Sequence, residues 1–231
     1  MNVSEHHQIA ALNNAALCAA MWRAHGLDVE AVEGLVACSG TPPRFYPNVV
    51  TVDPAVDVEE QKRLIFERAQ RASGAFFVKD SYRALELGSV GFKPLFDACW
   101  IRRVAGTDAG ATQLDWRPVT DPFDELSAWG AAWSRNANEP PLFLPAFLLS
   151  PGVTMLAGRA NGAIVAGCIV TATGAVAGFS NVFGDSSEVI RGAAKTFSSC
   201  DLVGYENGEA LAAALKAGFE MVGELTVWRR Q

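Results

Sequence analysis

Apolar residues recur at helical spacing over residues 4–25, where Ile9, Leu12, Ala16, Ala19 and Ala20 share a face. Ser4 offers a cap for that helix and Gly26 a stop. The period then shortens. Residues 34–39 and the β-branched run 48–52 read as two strands joined through Gly40-Thr41-Pro42-Pro43, and Asp53-Pro54 ends the second. Residues 58–72 return to helical spacing, with Leu64, Ile65 and Ala69 on one side. Glu59 and Glu60 fall in the first turn, where the helix dipole favours negative charge. The pattern next predicts a strand at 75–79, a helix at 81–90 stopped by Gly91, and a strand at 95–102. The polar, glycine-bearing stretch 105–112 reads as a linker.

Beyond it the alternation starts again, with a strand at 114–119 and a helix at 121–134 carrying Asp121 as cap and Pro122 at its first position. Pro140-Pro141 breaks the chain before a short apolar helix or loop at 142–149. Three strands follow at 154–159, 163–171 and 175–183, the first two joined by Asn161-Gly162, the strongest hairpin signal present. A helix at 186–197, a strand at 201–206, a helix at 209–217 and a strand at 222–229 complete the pattern. Strands alternating with helices predict an α/β (α+β) protein.

The two halves repeat one order of elements. Gly91-Phe92 and Gly218-Phe219 stand at the same offset as Arg102-Arg103 and Arg229-Arg230, and at that one offset the order strand, helix, strand, helix, Gly-Phe, strand recurs without gaps. That predicts two copies of one unit, residues 1–105 and 112–231.

Composition narrows the partners. The 231 residues are 50% apolar and 19% charged, enough to bury a sizeable core, so disorder is excluded. A net charge of −6 lacks the basic footprint that phosphate backbones demand, which excludes nucleic acid as partner. Five scattered cysteines without a CxxC pair read as small apolar residues in a reducing compartment. Residues 1–8 carry no Lys or Arg, and the apolar stretch 9–22 is broken by Asn13-Asn14 and too short to span a bilayer. The expectation is a cytoplasmic protein with no membrane association. His6, His7 and His25 have no partner ligand at metal spacing, and His6 and His7 read as a solvated first helical turn; no metal is expected. Cys200 reads as a structural thiol.

The stretch Tyr205-Glu206-Asn207-Gly208-Glu209-Ala210, followed by Gly218-Phe219 and a final strand, resembles the GNAT superfamily of acetyl-coenzyme A-dependent N-acetyltransferases. Asn207, Ala210, Gly218 and Phe219 fit its spacing, and the element order of residues 112–231 is similar to it throughout. The resemblance implies two GNAT-like units, each a mixed, mostly antiparallel sheet flanked by helices, with residues 1–105 the degenerate copy. It implies that strands 175–183 and 201–206 splay apart, that Asn181, Val182 and Phe183 line the pantetheine of acetyl-CoA, and that Arg191, Gly192 and Ala193 at the next helix meet its pyrophosphate, with Asn207 at the end of the second strand. Arg191-Gly192-Ala193-Ala194 lacks the second glycine of the family loop. Asp185-Ser186-Ser187-Glu188 has the form of a capping box, whose carboxylates would occupy the helix N–H groups and repel a pyrophosphate. At the position where many members carry a proton-donating Tyr, this chain has Ala214, and Leu87 in the first half.

Amine acylation needs a base, an oxyanion donor and a proton for the thiolate. Glu206 and Tyr205, where the second strand ends, are the candidate base and acid; a packed Tyr205 and a solvated Glu206 are the competing reading. Ser180 with Asn181 interrupts an apolar strand, and polar groups there need partners, supplied by a ligand or by the neighbouring strand's loop. The aromatic group Trp116, Phe123, Trp129, Trp133, Phe143 and Phe147 reads mostly as core, with part of it able to line an acceptor pocket. The function expected is an acyl-CoA-dependent N-acetyltransferase acting on a small-molecule or protein amine. The alternative is a catalytically silent tandem module that binds a small molecule or a protein.

Overall fold

The computed structural model describes residues 5–134 and 139–231, and the chain divides into two compact units: Met1–Trp100 with Val222–Gln231, and Ile101–Met221. Ser4, the expected cap of the first helix, lies outside the described residues.

The first unit runs α1 (Glu5–Ala24), β1 (Val29–Val32), β2 (Leu35–Cys38), β3 (Val49–Thr51), α2 (Val58–Arg71), β4 (Phe76–Asp80) and most of β5 (Lys93–Arg103). Its sheet order is β1-β2-β3-β4-β11, where β11 (Glu220–Arg230) is the last strand of the chain. β1, β2 and β3 pair antiparallel, β3 and β4 parallel, and β4 and β11 antiparallel, with Val78 opposite Trp228. Leu35, Val49, Ile65, Val78, Leu87, Phe92 and Trp228 form one core.

Three local features depart from the pattern. β1 was not visible as a strand; it exists because Glu33 and Gly34 both adopt positive φ, 43° and 72°, and turn the chain into a tight hairpin. The helix expected at 81–90 is absent except for one 3-10 turn at Gly88–Val90. Asp80, 1% exposed, takes the N–H groups of Tyr82 and Leu85 on its carboxylate, and Arg83 sits at φ 49°, so this segment is a turn organised by a buried side chain. His7 is buried and not on a solvated turn: its Nε2–H donates to Ser81 O over 2.7 Å.

The second unit holds the end of β5, then β6 (Asp115–Pro118), α3 (Asp124–Ser134), α4 (Pro145–Leu148), β7 (Val153–Ala160), β8 (Ala163–Thr173), β9 (Val176–Phe183), α5 (Ser186–Thr196), β10 (Asp201–Glu206), α6 (Gly208–Lys216) and the start of β11. Its order is β5-β10-β9-β8-β7-β6, antiparallel from β6 to β9 and parallel between β9 and β10. Each unit is thus a mixed, mostly antiparallel sheet with helices, as the sequence predicts. Leu156, Cys168, Val170, Phe179, Val189, Ala193, Leu202 and Phe219 are buried together under α5 and α6.

The stretch expected as a linker is fastened to the second unit. Arg103 donates to the carbonyls of Ala217, Thr107 and Asp108, Gly106 N donates to Ser198 O, and Ala105 N to Asp201 Oδ1. The sequence keeps 112–231 together, whereas the structure assigns Val222–Gln231 to the first unit and Ile101–Arg103 to the second.

Candidate functional site

The site is built where β9 leaves β10. Their pairing runs from Asp201↔Val176 to Val203↔Gly178 and stops there. Gly204 is the next residue, and a Cβ on it would stand 3.1 Å from the Phe179 ring and 3.2 Å from Phe179 O, so the strands touch once more before they separate. Beside the separation, β9 carries a bulge. Ser180 faces Ile169 and Phe183 faces Gly167, which leaves Asn181 and Val182 opposite Cys168 alone. Asn181 absorbs the extra residue at φ 51°, a conformation Asn tolerates better than most side chains. Such a bulge bends its strand and increases its twist.

Side chains at this point divide between two faces, because successive residues of a strand alternate. Leu202 on β10 and Ala177 and Phe179 on β9 belong to the core under α5 and α6. Glu206 falls on the same face as Leu202; Tyr205 and Ser180 fall on the other. The proposed acid and base are therefore not brought onto one face. Glu206 is half-buried, and burial pushes its carboxyl above its ordinary range. Ser180 Oγ donates to Asn181 Oδ1 over 3.1 Å, so part of the polar demand on that strand is met locally. Asn207 is exposed as the N-cap residue of α6, without a side-chain capping bond.

Behind Phe183 lies an aromatic wall. Trp129, 0% exposed, meets Phe183 and Phe143 edge-on at 5.0 Å each, and its indole N–H donates to Leu156 O. Gly167 makes this possible: a Cβ there would lie 2.6 Å from the Phe183 ring and 2.7 Å from Trp129 Nε1. Trp129, Phe143 and Phe147 are core residues, while Phe123 is exposed.

The start of α5 is closed by the protein itself. Asp185 caps it, accepting from Glu188 N at 2.8 Å, as the capping-box pattern predicts. The Glu188 carboxylate does something the pattern did not reveal. It is 5% exposed and accepts from Gln113 N (2.8 Å), Leu114 N (3.0 Å), Trp116 Nε1 (3.2 Å) and the Arg191 guanidinium (2.9 Å). Burial opposes ionisation there, yet the Arg191 contact and the three N–H donors outweigh it and hold the carboxyl below its ordinary range. Gly192 lies against Trp116, and Ala193 is fully buried. The residues that the resemblance assigns to a pyrophosphate are thus engaged with the chain: Arg191 with a carboxylate, Gly192 with an indole, Ala193 with the core. They do not fit that group.

In the first unit the parallel pair β3 and β4 is bridged past the end of its ladder. β3 and β4 pair only at Val49↔Val78 and Val50↔Lys79. Past that point Ser81 N donates to Thr51 Oγ1, Tyr82 Oη to Val52 O, Trp100 Nε1 to Ser81 O, and buried Lys79 Nζ to Asn14 Oδ1. At its helix start Asp57 accepts from Glu60 N. Among the described residues no group of His, Cys, Asp and Glu is placed to hold a metal ion, and no helix is long and apolar enough to cross a membrane.

The arrangement of strands and helices as a whole has counterparts among solved structures. A GCN5-related N-acetyltransferase from Kribbella flavida superposes with a TM-score of 0.63 at 15% identity, over 96% of this chain and 95% of that one. The fold is the GNAT fold. A GCN5-related N-acetyltransferase from Sphaerobacter thermophilus is similar at a TM-score of 0.53 and 14% identity, covering 96% and 93% of the two chains. A conserved protein of unknown function from Bacteroides thetaiotaomicron gives 0.52 at 12% identity, covering 99% and 92%. No family model matches the sequence, and no curated protein matches it. Within the GNAT fold, the parting of β9 and β10 is where the resemblance implies it, while the bulge at Asn181 was not read from the sequence. The roles of Glu188, Gly167 and Gly192 were not.

Proposed function

We propose that this protein is an N-acyltransferase that binds an acyl thioester between β9 and β10 and passes the acyl group to an amine. The observation that carries the reading is the parting of β9 from β10 after Val203↔Gly178, beside a bulge at Asn181, while the parallel pair β3 and β4 of the first unit is bridged past the end of its ladder. Backbone groups of a parted strand are suited to pair with the amides of a pantetheine-like arm, a form of strand addition. Asn181, Val182 and Phe183 are the residues that line it on this reading.

The amine nitrogen attacks the thioester carbonyl, the C–S bond breaks, and the amine proton passes to the Glu206 carboxylate and from there to the departing sulfur, giving amide and thiol. A carboxyl held above its ordinary range by burial is a better base than an exposed one. A thiolate is a good leaving group near neutral pH, so the absence of a Tyr at Ala214 is no barrier. Tyr205 and Ser180, on the opposite face, position the donor and do not exchange the proton. The acceptor is a neutral or cationic amine, small or on a protein, in keeping with the acidic chain. The duplicated Gly-Phe and Arg-Arg marks support reading the chain as two copies, with the working cleft in the second.

The test is thiol release from an acetyl thioester in the presence of a panel of amines. Glu206→Gln is expected to slow turnover about 100-fold or more with little change in donor binding. Full activity in that variant would remove Glu206 as base. A folded protein that neither binds nor cleaves any thioester would leave the binding-module reading in its place.

A further inference from the structure

We infer that Glu188 is a resident anion occupying the phosphate position of this GNAT fold, so that the cleft takes acyl donors by their thiol-side amide arm and not by a phosphate. The inference rests on the transferase reading and names its donor class. A helix N-terminus attracts anions because its first N–H groups are unpartnered and the dipole is positive there. At α5 one of those N–H groups is already capped and a carboxylate already stands in the first turn. Asp185 holds the N–H of Glu188, and Glu188 itself is ringed by Gln113 N, Leu114 N, Trp116 Nε1 and Arg191. These partners arrive from two directions, the 113–116 segment and the next turn of the helix, and form a complete first layer of donors around one buried carboxylate. A phosphate brought to this place would meet that negative charge in a poorly hydrated surrounding, where repulsion is strong. It would also find Arg191 already paired and Gly192 covered by the Trp116 ring. The cleft further along, between Asn181–Phe183 and Gly204–Glu206, is bordered by backbone beyond the end of the β9–β10 ladder, and it is the part suited to amides.

The experiment compares three donors on the intact wild-type protein: acetyl-CoA, S-acetylpantetheine and S-acetyl-N-acetylcysteamine, by calorimetric affinity and by thiol release with a responsive amine. The expected result is that acetyl-CoA and S-acetylpantetheine agree within about threefold in affinity, less than 1 kcal/mol by the usual conversion. Glu188→Gln removes the charge, keeps the shape and frees Arg191; it is expected to raise affinity for acetyl-CoA over S-acetylpantetheine by about fivefold or more. Wild-type affinity for acetyl-CoA more than about tenfold above that for S-acetylpantetheine would overturn the inference and leave the transferase reading standing. Failure of all three donors to bind would overturn both. The wild-type comparison decides the matter even if Glu188→Gln does not fold.

Discussion

Gly192 offers a sharp test of how the start of α5 is used. In the structure a Cβ on this residue would stand 2.8 Å from Trp116 Nε1 and closer still to Cδ2 and Cε2 of the same ring. Gly192→Ala therefore forces the indole away from the helix, and the Trp116–Glu188 hydrogen bond goes with it. Overpacking of this kind costs about 1–3 kcal/mol. Loss of a hydrogen bond to a charged group adds about 1.5–3 kcal/mol. The better helix propensity of Ala returns about 1 kcal/mol. The expected net destabilisation is about 2–4 kcal/mol, a fall in Tm of about 5–10 °C for a chain of this size. Urea unfolding followed by far-UV circular dichroism, with the thermal midpoint beside it, measures this directly. A glycine kept open for a ligand's phosphate would respond in the opposite sense, because Ala in an uncrowded helix is neutral or stabilising. An unchanged or raised midpoint would thus refute the packing argument. A second check is coupling: Trp116→Leu makes room for the new methyl, so the double variant should recover part of the loss, and strict additivity of the two changes would count against direct contact.

Glu206→Gln is expected to raise Tm at pH 7 while it lowers activity. Burial lifts the folded-state carboxyl above its unfolded value, so its favourable contribution is present below the unfolded value near 4.5 and is lost as pH rises through the folded one. The Tm difference between variant and wild type should therefore shrink towards pH 4, and a difference independent of pH would remove the assignment. His7 has the opposite sign: burial, against the Ser81 carbonyl bond that favours the charged form, holds it below its ordinary 6.5. Stability that it contributes is present above pH 6.5 and is lost as pH falls through the depressed value, so urea midpoints of wild type should drop from pH 7.5 to 5 more steeply than those of His7→Gln. Gly223→Ala is expected to destabilise the first unit strongly, since the added methyl would meet the His7 ring, and an unchanged midpoint would contradict that contact.

The order of elements was legible in the sequence because periodicity and turn residues are local signals. So were the three-stranded meander and the cap at Asp185, whereas the place where two strands part followed only from the resemblance. What failed locally failed through buried polar side chains. Asp80 takes two N–H groups that a helix at 81–90 would have needed free at its start, and nothing in the spacing of 81–90 shows it. His7 looked solvated because its partner, Ser81 O, is distant in sequence. Glu188 looked like half of a capping box, whereas its donors at 113–116 come from an element that no local pattern connects to it. The faces of Tyr205 and Glu206 follow from strand alternation and were within reach of the sequence once 201–206 was read as a strand.

The marks shared by the two halves acquire a use in the structure. Arg103, from the first half, lies 3.8 Å from where a Cβ of Gly218 would stand and donates to Ala217 O, in the turn that closes α6. Arg230, from the second half, approaches Gly91 at the same distance and lies over the Phe66 and Phe92 rings. Each Gly-Phe corner is therefore fastened by an arginine encoded in the opposite half, and each unit contains a strand segment from it. The boundary read from the sequence and the boundary between the folded units do not coincide. A cut placed in the stretch that reads as a linker leaves neither product whole: one fragment lacks the Val222–Gln231 strand of its sheet, the other lacks Ile101–Arg103 and the fastening of its last turn.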